Sequence, residues 1–119
     1  MYVLQKGLVL AKQAQNYAVA AKLPAVMDLQ DSKNFVVQYE VRLQEGLDCG
    51  GAYLKLLKDD SDLNLSALKD DTPYTIMFGP DKCGTTNKVH FIFRHQNPVS
   101  KEWEEKHMKD PPMPKTGSW

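Results

Sequence analysis

Two stretches of this sequence decide its fold. Residues 48–55 read Asp-Cys-Gly-Gly-Ala-Tyr-Leu-Lys, and residues 74–84 read Tyr-Thr-Ile-Met-Phe-Gly-Pro-Asp-Lys-Cys-Gly. Each contains one of the chain's two cysteines, together with a tyrosine, glycine and charged side chains. Apolar and polar residues alternate around them, which is typical of β-strands. The two stretches therefore predict two strands that bring polar side chains to one surface.

Further alternating segments predict an all-β protein. The clearest covers residues 35–43, where every second residue from Val37 to Leu43 is apolar and those between are polar. Strands are also predicted over residues 7–12, 17–23, 52–57, 73–78 and 88–95. The alanines of the first two segments also permit one helix over residues 8–22.

The segments between the strands predict loops. Residues 58–72 are acidic and polar and indicate a solvated loop, with one helical turn around Leu63, Leu65 and Leu68. A turn at Gly79-Pro80 is expected to end the strand that begins at residue 73. Pro98 is expected to stop the last strand, because proline lacks the N–H that a sheet ladder needs. The charged and proline-rich residues beyond it predict an extension with little packing.

About six antiparallel strands without a long helix predict a β-sandwich. Six short strands supply little more than one of its two sheets, and a chain of 119 residues buries a smaller share of its surface than a larger domain does. The sequence therefore predicts a sandwich that is present only in part. Open strand edges predict oligomerisation through the missing strands.

Composition and motifs argue against several classes of function. Fifteen basic and fifteen acidic side chains give a formal net charge of zero, which provides no attraction for nucleic acid or an anionic membrane. No apolar run approaches the length of a transmembrane helix, and the N-terminus lacks the form of a signal peptide, so we expect a removed signal or a fragment. No nucleophile elbow, HExxH motif, paired metal ligands or glycine-rich phosphate loop is present, which predicts a protein that is not an enzyme.

The cysteines leave two possibilities open. Two reduced thiols are the default in a cytosolic protein, and spacing alone is weak support for a disulfide between Cys49 and Cys83. The glycosylation sequon Asn64-Leu65-Ser66 fits a secreted chain instead. The residues by themselves do not fix the redox compartment.

The residue types in the two stretches suit the binding of a sugar. Period-2 alternation puts Tyr53 and Lys55 on the same face of one strand. Lysine only donates hydrogen bonds and a carboxylate only accepts them, so Lys55 and Asp81 together can serve both roles of a hydroxyl group. Apolar packing for the sugar ring is expected from Met77 and Ile92.

Alternation alone also permits a simpler interpretation, in which Tyr53 is a surface tyrosine without a binding role. Tyr74 presents a second difficulty, because a regular strand turns it to the face opposite Met77. It joins the other candidate residues only if it lies off the regular strand.

The two stretches resemble the signatures of the calnexin and calreticulin family of lectin chaperones. Residues 49–56 are similar to the pattern CGGxYxKL, and residues 74–84 to YxxMFGPDxCG. Residues 36–41 and 89–93 resemble the strands around them, and Glu104-Glu105-Lys106-His107 is closer to the calnexin branch. On this resemblance, residues 1–112 are interpreted as part of a lectin domain and residues 113–119 as an unassigned polar tail.

The resemblance implies a concanavalin-like (jelly-roll) antiparallel β-sandwich in the lumen of the endoplasmic reticulum. It implies a chaperone that binds monoglucosylated N-linked glycans on unfolded glycoproteins. Carried over by motif, the glycan-contacting residues are Tyr53, Lys55, Tyr74, Met77, Asp81 and Ile92. The resemblance also implies that Cys49 and Cys83 form a disulfide.

A calcium ion is a further implication of the resemblance. Backbone carbonyls hold part of it, and the matching positions here are Leu4, Gln5 and Lys6, with Gln5 standing where calnexin-type chains carry an aspartate. The family's later strands have no counterpart in this sequence. The alternative interpretation is therefore a structural or assembly piece of the sandwich that does not bind glycan.

Overall fold

One antiparallel sheet forms the body of the structure. A computed structural model describes residues 6–30 and 34–119. Its elements, in chain order, are β1 (Cys49–Gly51), β2 (Leu54–Leu56), a short 3₁₀ helix (Leu65–Ala67), β3 (Ile76–Cys83), β4 (Thr86–Gln96) and β5 (Trp103–His107). β1 and β2 pair with one edge of β3, β4 pairs with its other edge, and β5 pairs with β4. The all-β prediction is confirmed, and the described residues form a partial sandwich.

A hairpin of β3 and β4 is the centre of the sheet. Every residue of β3 has a partner on β4. Gly84, in the turn between them, has a φ of 58°, a left-handed conformation that glycine adopts without steric cost. The predicted strand over residues 88–95 lies within β4. The predicted strand over residues 52–57 is shortened to β2, because Ala52 and Tyr53 lie between β1 and β2 and belong to neither.

The prediction that a Gly79-Pro80 turn ends the strand is wrong. Both residues belong to β3, and the Pro80 carbonyl accepts a hydrogen bond from the Ala52 N–H at 3.0 Å. Gly79 has a φ of 146°, and a Cβ there would overlap the Ala52 carbonyl oxygen and the Tyr39 hydroxyl. Glycine is needed at this position because the neighbouring backbone approaches closely, and the strand does not turn there.

The two strands predicted over residues 7–12 and 17–23 are also wrong. Residues 6–30 contain neither strands nor the alternative helix, and all of their side chains are exposed. A local hydrogen bond of 3.0 Å from the Lys12 N–H to the Tyr17 hydroxyl closes the turn between them. Alternation without a partner strand does not produce a sheet, because the ladder bonds require a second chain segment.

Residues 35–43 show the predicted alternation without the predicted strand. Val37, Tyr39, Val41 and Leu43 are half-buried, and the residues between them are exposed. The Tyr39 ring packs edge-on against Phe78 of β3 at a centroid distance of 5.4 Å. The segment therefore lies across one face of the sheet, and in the described part of the chain no strand pairs with it.

The extension predicted beyond Pro98 has more structure than expected. Residues 97–101 reverse the chain, and β5 then pairs with β4 from Trp103 opposite Gln96 to His107 opposite Ile92. Beyond β5, the Val89 N–H donates to the Pro112 carbonyl at 2.6 Å. Pro98 ends β4 as predicted, but the charged residues after it form an edge strand.

The loop over residues 58–72 agrees with its prediction. Its 3₁₀ helix, Leu65–Ala67, supplies the expected helical turn, and the Asn64 side chain accepts a hydrogen bond from the Ser66 N–H at 3.0 Å. This is an N-cap, which satisfies an N–H that the short helix leaves unpaired. Within the described residues, no helix has the length and apolar character needed to cross a membrane.

The two faces of the sheet differ in chemistry. Cross-strand registers put most apolar residues of β2, β3 and β4 on one face, here called the apolar face, which carries Leu54, Leu56, Ile76, Phe78, Val89, Phe91 and Phe93. Phe91 and Phe93 are 41% and 40% exposed. The opposite face, here called the polar face, carries Ile92, which is 4% exposed and is the one buried hydrophobic residue among those described. The apolar face is thus incompletely covered.

Residues 113–119 lie across part of the apolar face. The Gly117 N–H donates to the Leu43 carbonyl at 3.2 Å. Pro114, Lys115 and Trp119 line one side of a groove of about 400 Å³, and Tyr39 and neighbouring residues line the other. This short segment covers the end of the face near Tyr39.

Candidate functional site

The sheet register brings the predicted site residues onto the polar face. Lys55 lies opposite Met77, and Met77 lies opposite Ile92. Cross-strand partners project from the same side of a sheet, so these three residues form one row. Asp81 is four residues from Met77 along β3, on the same face and about 14 Å away. Four of the six predicted residues therefore share a face because of strand geometry alone.

Tyr53 joins them at the Asp81 end of the face. β1 pairs Gly51 with Asp81, and the chain leaves the ladder at the next residue. The Tyr53 hydroxyl then donates a hydrogen bond to the Asp81 carboxylate. The interruption between β1 and β2 thus places Tyr53 against Asp81, four residues along β3 from Met77, the partner of Lys55.

His90 completes this end of the face. Its Nε2 is 3.7 Å from the Asp81 carboxylate, and its ring centroid is 6.1 Å from that of Tyr53. Burial lowers the pKa of His90, and the Lys88 cation lowers it further, against the opposing effect of Asp81. Burial and the bond to Asp81 raise the pKa of Tyr53, so its hydroxyl keeps its proton and remains a donor.

Tyr74 forms the other end of the face. It precedes β3, which begins at Ile76, so the strand alternation that opposed its placement does not apply. The Lys55 Nζ lies 5.7 Å from the centroid of the Tyr74 ring. The Tyr74 hydroxyl donates to Glu105 at 2.9 Å, and burial together with this bond raises its pKa to about 12. All six predicted residues are therefore on one face.

The arrangement offers hydrogen-bonding groups at both ends and an apolar centre. Lys55 donates, and its Nζ already bonds to the Asp70 carbonyl at 3.2 Å. Asp81 accepts, while the half-buried Met77 lies between the two ends of the face with the buried Ile92 opposite it on β4. A surface of this kind can hold a polyhydroxylated ring, because hydroxyls need both donors and acceptors and the ring faces need apolar contact.

Several residues of this face were not predicted. His90 could have been found, because it alternates in step with Ile92 on β4 and the sequence therefore indicates the same face. Trp103, Glu105 and His107 reach the face on β5, and no sequence signal identified that strand. Their positions depend on tertiary pairing with β4.

The two cysteines form a disulfide. Cys49 and Cys83 lie opposite each other in the β1–β3 ladder, and 34 positions of sequence separate them. The bond fixes β1 to the end of β3 that carries Asp81. This agrees with the implication of the family resemblance and removes the alternative of two free thiols.

The calcium prediction falls mainly outside the described residues. Leu4 and Gln5 lie there, and Lys6, which is described, carries a cation that cannot ligate calcium through its side chain. From residue 6 to 30 and from 34 to 119, no group of three or more acidic, histidine or cysteine side chains is placed to hold a metal ion. Calcium binding stays a prediction.

Comparisons with known proteins agree with the family that the two signatures indicate. Residues 2–118 match the model of the Calreticulin family. A calnexin homolog of Aspergillus fumigatus is 55% identical over 111 residues, which are 93% of this chain and 20% of that protein. Calmegin of Bos taurus is 55% identical over 106 residues (89% and 17%), and a calnexin homolog of Helianthus tuberosus is 50% identical over 107 residues (89% and 20%).

The chain thus spans about a fifth of the length of these relatives. The match extends over nearly all of its residues, including the two cysteines and the polar face of the sheet. The chain belongs to the calreticulin family.

Proposed function

We propose that this chain is part of a lectin domain of an endoplasmic reticulum chaperone, and that it binds monoglucosylated N-linked glycans on unfolded glycoproteins without catalysing a reaction. The observation that carries the proposal is the convergence of six residues on one face of the sheet: Tyr53, Lys55, Tyr74, Met77, Asp81 and Ile92. Membership of the calreticulin family supports the same function. The disulfide supports the oxidising compartment.

Each group on the face has a defined role in this proposal. The Asp81 carboxylate accepts hydrogen bonds from glucose hydroxyls, and the bond from the Tyr53 hydroxyl holds it in position. Lys55 donates to a ring or hydroxyl oxygen. Met77, which is half-buried, contacts the apolar face of the glucose ring, and the buried Ile92 packs beside Met77 and supports it. No residue in this set needs to activate a nucleophile or move a proton.

A second candidate function is a structural or assembly piece of the sandwich without glycan binding. The observation that favours it is the exposed apolar face, because Phe91 and Phe93 are 41% and 40% exposed. A surface of this kind needs a covering layer, whether or not the opposite face binds sugar. A direct binding measurement separates the two functions.

The test is calorimetry with a monoglucosylated oligosaccharide and its unglucosylated counterpart. We expect the glucosylated sugar to bind more tightly. Lys55→Ala or Asp81→Ala should weaken its binding roughly tenfold or more, because each change leaves a desolvated sugar hydroxyl unpaired. Lys82→Ala and Asp62→Ala are the matched controls, since Lys82 lies on the apolar side of β3 and Asp62 lies in an exposed loop.

The controls should bind like the unmodified protein, and circular dichroism should be unchanged in all four variants. Equal affinity for the two sugars, or unchanged affinity in both Lys55→Ala and Asp81→Ala, would overturn the proposal and favour the structural alternative.

A further inference from the structure

The loop of residues 58–72 contains a motif that the proposed glycan site does not use. Asn64, Leu65 and Ser66 form the pattern Asn-x-Ser, in which the asparagine is an acceptor for an N-linked oligosaccharide. The sequence has five asparagines, and Asn64 is the only one followed two residues later by serine or threonine. Such tripeptides also occur by chance, so the surroundings of the two polar side chains decide whether the motif can carry a sugar.

The folded loop presents both polar residues of the motif to solvent. Asn64 and Ser66 are exposed, whereas Leu63 and Leu65 beside them are half-buried. The loop thus packs through its leucines and turns the motif outward. An attached oligosaccharide is bulky and strongly solvated, so it requires a placement of this kind.

The amide nitrogen that an attached sugar needs is free. The Asn64 Oδ1 accepts a hydrogen bond from the Ser66 N–H at 3.0 Å. The Asn64 Nδ2, to which a sugar would be joined, makes no hydrogen bond to any described residue, and neither does the Ser66 hydroxyl. A substituent on Nδ2 therefore breaks no contact of the folded chain, and Oδ1 keeps its role as an acceptor.

Two other asparagines show the contrast. The Asn97 Nδ2 donates to the Glu104 carboxylate at 3.4 Å, and the Asn87 Nδ2 lies 3.6 Å from the Met113 sulfur. A sugar on either nitrogen would displace that contact. Asn64 therefore combines the motif with an amide nitrogen that the fold does not use.

We propose that Asn64 is N-glycosylated, and that the donor is an oligosaccharide carried on a polyprenyl diphosphate. The Asn64 Nδ2 forms a bond to C1 of the first sugar, and the bond between C1 and the diphosphate oxygen breaks. The lipid diphosphate leaves with that electron pair, and Nδ2 releases one proton.

The transfer requires an enzyme of the secretory pathway, so the inference rests on the compartment of the proposed function and not on its glycan-binding face. The disulfide between Cys49 and Cys83 is an independent observation that supports this compartment. The two proposals can therefore fail separately.

The experiment produces the chain behind a secretion signal in a eukaryotic host and maps its peptides by mass spectrometry. An amidase that removes N-linked glycans converts a glycosylated asparagine into aspartate and so marks the site. The variants are Asn64→Gln, Ser66→Ala and Ser66→Thr, with Asn16→Gln as the control at an exposed asparagine outside the motif. Ser66→Ala is the decisive variant, because it removes the motif but keeps Asn64 and the backbone N–H that bonds to it.

We expect one glycan on the unmodified chain, attached at Asn64, and the same glycan on Ser66→Thr and Asn16→Gln. Asn64→Gln and Ser66→Ala should lose it completely and migrate faster on a denaturing gel by the mass of one glycan. The circular dichroism spectrum and the urea midpoint of Ser66→Ala should match those of the glycosylated chain, because the attachment breaks no contact.

The outcomes separate this inference from the proposed function. Unmodified Asn64 in material that contains the disulfide overturns the inference and leaves the proposed function standing. A glycan that persists in Ser66→Ala, or a glycosylated chain that has lost the spectrum of the sheet, does the same. Unmodified Asn64 together with two free thiols would contradict the shared compartment and overturn both. Failure of both the unmodified chain and Ser66→Ala to bind the monoglucosylated oligosaccharide would overturn the proposed function alone.

Discussion

The side chains of Tyr53 and His90 meet at Asp81, and the three residues differ in how far the sequence could predict them. Tyr53 and Asp81 follow from the two signatures, and the structure joins them by a hydrogen bond. His90 was left out, although its position two residues before Ile92 indicates the same face. Alternation identifies which residues share a face. Alternation does not tell how close two residues on neighbouring strands lie, because that distance depends on the register of β3 and β4.

The pH dependence of stability tests the environment of His90. Its pKa is lower in the folded chain than in the unfolded chain, mainly because of burial. At pH values between these two pKa values, the unfolded chain binds more protons than the folded chain. The contribution of His90 to the free energy of unfolding is therefore fully present above the unfolded pKa of about 6.5, and it is lost as the pH decreases toward the pKa of the folded chain. We expect the urea midpoint to fall from pH 7.5 to pH 5.5, and to fall less in His90→Gln. An identical decrease in the variant would contradict this account.

Gly79 provides a second prediction at the scale of the residue. Gly79→Ala should destabilise the fold by about 3 kcal/mol, because the new Cβ overlaps the Ala52 carbonyl and the backbone is at a φ of 146°. The Tyr39 hydroxyl, which donates to that carbonyl at 2.7 Å, would also be displaced. Gly50→Ala is the control, since its Cβ would meet only the Leu47 Cδ1, at 3.7 Å. Comparable urea midpoints for the two variants would show that the close approach at Gly79 is not tight.

Individual elements show which sequence signals determine structure. The alternation in residues 35–43 correctly predicts which side chains are half-buried, because burial depends on the face that each side chain occupies. It does not predict a paired strand, because pairing depends on a second segment. β5 is the opposite case, a strand that pairs but was not predicted. Its sequence, Trp-Glu-Glu-Lys-His, has the charged character of a solvated segment. Charged side chains are common on edge strands, where they discourage pairing with other chains.

The disulfide is the strongest local constraint on β1, a strand of three residues. Replacing both cysteines by serine should lower the free energy of unfolding by about 4 kcal/mol in the chain-entropy model, given a sequence separation of 34. Urea unfolding of the double variant measures the loss. The double variant avoids a free thiol that could pair between chains. A loss below about 1 kcal/mol would indicate that the β1–β3 ladder holds without the bond.

The surface area of the whole molecule agrees with the predicted incomplete sandwich. The chain of 13.5 kDa has an accessible surface of 10543 Å². A folded monomer of that mass exposes about 6,500 Å². The excess of roughly 4,000 Å² comes partly from the exposed residues 6–30 and partly from the uncovered apolar face. A single sheet with a few crossing segments cannot enclose a core. The packing between two layers could therefore not be predicted from these residues.

Association in solution is the expected consequence for a chain of these 119 residues. Phe91 and Phe93 project from the apolar face, and the edges formed by β5 and by β1 with β2 carry no further strand among the residues described. Apolar patches and open edges of this kind drive association, because burying them removes apolar surface from water and pairs free backbone groups.

The weight-average mass from sedimentation should therefore increase with protein concentration. Phe91→Ser combined with Phe93→Ser should shift that increase to higher concentration, whereas Val99→Ser, at a residue that is 89% exposed in the turn before β5, should not. A monomeric mass at every concentration, together with cooperative unfolding, would show that one sheet and its crossing segments suffice for a stable fold.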